Sequence, residues 1–162
     1  IRTDLLKKEY YTITVGIPQS GRFTAWWEHD EKNNKVSIHA HQSQDERRKQ
    51  IITDVDVLRT AGPFALCKIG LVTGRTHQIR AHLASTGHPL LGDTKYGDNK
   101  LNRRMQSEYS LHHQLLHAGR VCFPEEAEGP LAKVSGQTFD APLPHKFAEI
   151  LQTLNLTPDS AC

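Results

Sequence analysis

Thr73-Gly-Arg-Thr-His-Gln-Ile-Arg80-Ala-His-Leu-Ala-Ser-Thr-Gly87-His-Pro-Leu-Leu-Gly92-Asp-Thr-Lys-Tyr96-Gly-Asp98 joins a basic helix start to two glycine-marked turns in one contiguous run. Gly74 lets the chain turn, and the Thr76 hydroxyl can accept an orphan backbone N–H. The pattern therefore predicts a helix capped by Thr76 that runs to about Ser85. Ile79 and Leu83, four apart, supply the apolar stripe that ties this helix to a core. Gly87 offers a left-handed stop, and Pro89 cannot continue the helix. His77, Arg80 and Ala84 fall on one face, which aims Arg80 into a crevice beside the core, where a guanidinium holds an anion. Leu91-Gly92-Asp93 reads as a turn whose carboxylate binds backbone amides, with Tyr96 packed under it.

Arginines on an arbitrary helix are commonly solvated, and Arg75 and Arg80 admit that plain reading. The charge around them argues for more. Seven Lys/Arg lie between Lys68 and Arg104 against only Asp93 and Asp98, while the rest of the chain carries 13 basic and 16 acidic residues. Positive charge concentrated in an otherwise mildly acidic chain suggests a polyanion, because each cation placed on a phosphate releases a counterion. RNA or DNA fits that description.

A chain of 162 residues can bury roughly two-thirds of its unfolded surface as one domain. No run approaches ~18 consecutive apolar residues, so no membrane partner is expected and a cytoplasmic location is the default. Cys67, Cys122 and Cys162 form no Cys-x-x-Cys pair, which points to reduced thiols without a zinc knuckle. Ten histidines make a metal worth weighing. His77 and His82 are five apart on a helix, however, and no carboxylate completes a ligand set, so no metal is expected. His77 and His117 read instead as hydrogen-bonding residues that shape a cleft, and His112 and His113 as loop residues.

Most of the remaining pattern is strand. Residues 22–28 and 35–41 flank the polar Asp30-Glu-Lys-Asn-Asn34 linker and read as a hairpin. Residues 49–59 and 64–72 form a second pair, joined at Ala61-Gly62-Pro63. A strand near 115–123 and a helix near 144–154 complete an α+β class: a mostly antiparallel, mixed sheet with few helices. Asp45-Glu-Arg-Arg-Lys49 reads as a solvated turn, and Glu125, Glu126 and Glu128 as an acidic loop away from phosphates. In Lys7-Lys8-Glu9-Tyr10-Tyr11-Thr12-Ile13-Thr14-Val15-Gly16, side chains alternate: Tyr11, Ile13 and Val15 form the apolar set, and Tyr10, Thr12 and Thr14 the more polar one.

The 73–98 run resembles the signature of the RluA-type family of RNA pseudouridine synthases: Gly-Arg-Thr/Ser-His-Gln-Ile/Leu-Arg-x-His, then Gly-His-Pro and Gly-Asp-x-x-Tyr. Every position is matched. Leu115-Leu-His117-Ala118 resembles the family's next strand and Ala141-Pro142 its closing element, so the likeness extends from about Lys7 to about Pro144. The family's tyrosine strand, with tyrosine six residues before a glycine, selects Tyr10, which the alternation also turns toward the cleft. The resemblance implies a cofactor-free reaction in which uracil is detached from its ribose, turned, and rejoined through carbon. In that chemistry an aspartate of a His-Arg-Leu-Asp motif attacks the flipped nucleoside, Tyr10 stacks on the base or assists proton removal, and Arg80 anchors the aspartate. Arg75, Thr76, His77, Gln78 and Lys95 are implied RNA contacts, and Leu116 an apolar surface under the base. Ribosomal RNA of the large subunit is the implied target, with transfer RNA the runner-up, and the intact protein is expected to be a monomer.

One departure matters: no His-Arg-Leu-Asp motif occurs in these residues, and none of the aspartates present sits in a matching context. The expectation is that the chain is the C-terminal part of one catalytic domain. Its nucleophile then belongs to a missing upstream part, and Arg80 clamps an acidic partner supplied from there. Such a piece is inert alone, and in the intact enzyme Arg80→Ala abolishes turnover with near-normal folding. A non-catalytic RNA-binding module and a histidine-based metallohydrolase are the competing readings.

Overall fold

Lys7–Val15 forms β1, the strand that divides the molecule into two cores. The computed structural model describes residues 6–44, 47–126 and 129–158. Asp4, Asp45, Glu46, Glu128, Asp159 and Cys162 lie outside them, as does the first half of the expected 45–49 turn. The strands are β1, β2 (Gly21–Asp30), β3 (Lys35–His39), β4 (Lys49–Ala61), β5 (Phe64–Leu71), β6 (Leu116–Cys122) and β7 (Thr138–Asp140). They pair in the order β3-β2-β4-β5-β1-β6-β7. Every described pairing is antiparallel, in line with the mostly antiparallel sheet expected, and no parallel pair occurs among the described residues. Both expected hairpins form, with Asn34 at φ 46° in the β2–β3 turn.

The alternation along β1 sorts the cores. Ile13 is fully buried with Leu66, Leu91, Met105, Phe147 and Ile150, and Tyr11 and Val15 pack against the same cluster. Tyr10 belongs to the opposite face, beside Val55, Ile69, Ile79, Leu83 and Leu90. Thr12 and Thr14 are fully buried rather than cleft-facing, because their hydroxyls are consumed by the Leu115 and Gly16 carbonyls at 2.7 and 2.8 Å.

Among the described residues, three α-helices cover the sheet unequally. Helices α2 (Asn99–Tyr109) and α3 (His145–Thr153) close the Ile13 face through Met105, Phe147 and Ile150. The Tyr10 face receives α1 (Gln78–Ser85), whose eight residues span only about 12 Å. Its Ile79 and Leu83 reach Val55, Ile69 and Leu90, while Tyr10, Leu71 and Leu116 at its margin stay partly covered. An under-covered sheet face beside a short helix is what opens the cleft.

The 87–93 segment runs on from α1 as an extended crosspiece. Val15 N donates to Pro89 O, Leu91 N to Ile13 O, and Leu115 N to Leu91 O, each at 2.8–2.9 Å, so the segment bridges β1 to the start of β6. Gly92 then turns at φ 82°, and a Cβ there would lie 2.3 Å from the His113 carbonyl oxygen. Backbone cannot yield as a flexible side chain can. Gly92→Ala is therefore expected to cost at least about 2 kcal/mol, read as a lowered urea midpoint. An unchanged midpoint would show that the 113 loop relaxes freely.

Candidate active site

Helix α1 begins differently from the pattern's prediction. Thr76 is not its cap: the N-cap is His77, left-handed at φ 53° and without a capping side-chain bond. Thr76 is exposed, and its carbonyl accepts from Trp27 Nε1 at 2.9 Å. The side chain that closes this turn is Gln78, only 2% exposed. Its Oε1 accepts from Thr73 Oγ1 and Arg75 N, and its Nε2 donates to Ile52 O and Thr53 Oγ1, all at 2.9–3.1 Å. All four of its hydrogen-bonding positions are consumed internally, which makes Gln78 the pin between α1 and β4.

Arg80 faces inward with a side chain 15% exposed. Its partner among the described residues is Asp93, a carboxylate of this same chain, held on one edge of the guanidinium. Nε donates to Oδ2 at 2.7 Å and Nη2 to Oδ1 at 2.8 Å, a bidentate fork. Asp93 is fully buried, and its Oδ1 also accepts from Lys95 N and Tyr96 N, which is the amide-binding turn the sequence suggests. The Tyr96 ring lies under the guanidinium, 5.3 Å from Cζ. Its hydroxyl accepts from Val36 N and meets His77 Nδ1, both at 3.0 Å. Burial, with the nearby Arg80 and Lys95 charges, lowers the His77 pKa and keeps this ring neutral.

Six expected site residues meet at one cavity of about 250 Å³: Tyr10, Arg75, His77, Gln78, Arg80 and Leu116. Gln114 also lines it, a residue that no sequence signal singled out. Arg75 is exposed at the rim with its guanidinium 5.6 Å from the Trp27 ring centroid. Lys95 is exposed and lies outside the cavity wall, with its ammonium bonded to the Asn34 carbonyl of the β2–β3 turn. His117 is half-buried, with Nε2 at 3.0 Å from Ala141 O. Among the described residues, no group of three or more His, Cys, Asp or Glu could hold a metal ion, and no helix is long and apolar enough to cross a membrane.

The cleft thus joins a tyrosine of the antiparallel sheet to a carboxylate-anchored arginine of α1. The family model for RNA pseudouridylate synthase matches residues 1–85, and the chain belongs to that family. An uncharacterized RNA pseudouridine synthase of Mycoplasma genitalium, MG209, is 37% identical over 125 residues, covering 77% of this chain and 36% of the relative. The ribosomal large subunit pseudouridine synthase D of Pasteurella multocida is 29% identical over 157 residues, covering 92% and 45%. Among solved structures, human RNA Pseudouridylate Synthase Domain Containing 4 superimposes with a TM-score of 0.75 at 24% identity, over 98% of this chain and 66% of that one. The fold is thus shared at low identity, and the chain spans less than half the length of both sequence relatives.

Burial pushes the Asp93 carboxyl up, but the bonds from Arg80, Tyr96 N and Lys95 N, with the guanidinium charge, outweigh it and hold the pKa below the ordinary carboxylate value. A group depressed on folding contributes stability that is present above its unfolded pKa and lost as pH falls through the folded one. Asp93→Asn leaves a largely buried guanidinium unpaired, so a loss of about 3 kcal/mol at neutral pH is expected from chemical denaturation. The deficit should shrink as the wild type is titrated below about pH 4, the unfolded carboxylate value. A pH-independent deficit would mean that Asp93 stabilises by shape alone.

Proposed function

We propose that this chain is the C-terminal part of a catalytic domain that isomerises specific uridines of structured RNA to pseudouridine. Large-subunit ribosomal RNA is the first substrate to test. The observation that carries the reading is the shared cavity of Tyr10 and Arg80, with the guanidinium immobilised along one edge by Asp93. A guanidinium has five N–H donors and the fork uses two, so three remain on the other edge for a second anion.

Asp93 cannot itself attack substrate. It has no exposed surface, and both of its oxygens are engaged. No carboxylate of the described residues lines the cavity. The nucleophilic aspartate therefore comes from sequence outside these residues, in keeping with relatives more than twice as long. Seated on the open edge of Arg80, it would stay ionised and aligned. The bookkeeping is an isomerisation: the N1–C1′ bond of uridine breaks, a C5–C1′ bond forms, C5 loses a proton and N1 gains one. No cofactor is required, and Tyr10 stands where it can stack on the base or assist removal of the C5 proton. The target nucleotide must leave its stack to enter.

RNA tritiated at uridine C5 reports this directly, because the exchanged label appears in water. In the intact protein, Tyr10→Phe is expected to lower release by at least about 100-fold with an unchanged melting temperature. Full release would remove Tyr10 from the chemistry. Residues 1–162 alone should release none, and turnover by them would overturn the externally supplied nucleophile. Release from transfer RNA but not ribosomal RNA would reassign the substrate. Arg80→Ala is the less clean probe, contrary to its expected near-normal folding, because it strands the buried Asp93 carboxylate; Arg80→Lys, which keeps the charge but loses the fork, is preferred.

A further inference from the structure

Three cavities lie in series on the surface, each sharing lining residues with the next. The Arg80 cavity, about 250 Å³, shares Gln114 and Leu116 with a second of about 350 Å³ over the 110–117 loop. That one shares Leu111 and His112 with a third, about 110 Å³, against α2. None of the three is lined by an Asp or Glu. Two other cavities differ: one includes Asp140, and the other Glu9, Asp54 and Asp56. Carboxylates make up 18 of 162 residues, so their exclusion from three joined cavities marks a path suited to an anion.

The donors along the track are placed rather than merely present. Arg75 and Arg80 stand at one end, and exposed Arg103 of α2 at the other. Gln106, one helical turn from Arg103 and on the same face, sets its Nε2 at 3.1 Å from His112 Nδ1. An amide nitrogen only donates, so Nδ1 accepts and the His112 Nε2 carries the proton, free to serve a phosphate oxygen even in the neutral ring. Between the ends, Leu116 and Pro144 offer apolar wall to a base. Lys146 also lines this stretch, but it is held by the Tyr109 carbonyl and Glu149 and is not counted as a donor. Alternating cationic or polar donors and apolar wall is the pattern a single strand reads.

We infer that the RNA strand flanking the target nucleotide leaves the Arg80 cavity over the 110–117 loop and ends against α2, with His112 and Arg103 as phosphate contacts. The inference rests on the RNA-modifying reading above and extends it to a path. The intact protein is titrated into a fluorescein-labelled oligouridylate of about ten nucleotides at several salt concentrations, monitored by anisotropy. Arg103→Ala and His112→Ala, both at exposed positions, are expected to weaken binding about 3- to 10-fold near 0.1 M salt. Arg103→Ala should also reduce the slope of log K against log salt by about 0.7. Arg22→Ala, which removes an exposed pair with Asp54 away from the track, is the control and should leave both unchanged.

Wild-type affinity and slope in both track variants, or an equal loss in Arg22→Ala, would overturn the path while leaving the isomerase reading intact. Binding that obeys the prediction without tritium release from any RNA would support the path and refute the isomerase chemistry. No binding by the wild type would overturn the path and leave the isomerase reading to the tritium assay.

Discussion

The Arg80–Asp93 fork is the constraint around which the cleft is built. A buried carboxylate is tolerable only if it is paired and hydrogen-bonded, and Asp93 meets both conditions through one guanidinium and two backbone amides. Because these donors come from α1 and from the 92–97 turn, the pair locks the helix to the turn that follows it. The Tyr96 ring beneath the guanidinium extends the lock, and its hydroxyl carries it to His77 and to the β3 backbone at Val36. Arg80 is thereby oriented before any ligand arrives, and an oriented donor loses little entropy on binding.

The sheet explains why this lock sits at an opening. One face is sealed by two helices with Phe147, Ile150 and Met105; the other carries a single short helix. The crosspiece at 87–93 fills the space beside the end of β1, where β6 has not yet begun, and delivers Asp93 to Arg80. Tyr10 reaches the same cavity from the sheet side, next to a β-bulge between Glu9 and Tyr10 against β6. Bulges re-aim side chains, and this one lies at the edge of the cleft.

Charge is distributed to match. The basic excess of the 68–104 region does not form one uniform patch: Lys68 pairs with Asp56, Arg104 with Glu108 and Arg80 with Asp93. What distinguishes the cleft side is the missing carboxylate wall more than the number of cations. In a focusing groove the sign of the field depends on both, and removing acids is as effective as adding bases.

Much of this was legible in the residues themselves. Period-two alternation located β1 and its two faces, polar linkers with Asn34 and Gly62 located both hairpins, and the Gly-Arg-Thr-His-Gln-Ile-Arg run located α1 and its arginine. Helix α2 escaped because only Leu101, Met105 and Tyr109 give it an apolar stripe. Its one signal was Asp98, whose carboxylate caps Lys100 N and Leu101 N. The packing of Gln78 and Lys95 and the pairing of Asp93 with Arg80 were not legible, since each depends on a partner distant in sequence: Ile52 and Thr53, Asn34, and Arg80. The sequence by itself determined which segments are strand or helix and which residue types carry the chemistry, because periodicity and turn propensity are local. Only the tertiary structure decided which polar groups are already consumed and which remain open to a ligand, because hydrogen-bond partnership is settled by proximity in space.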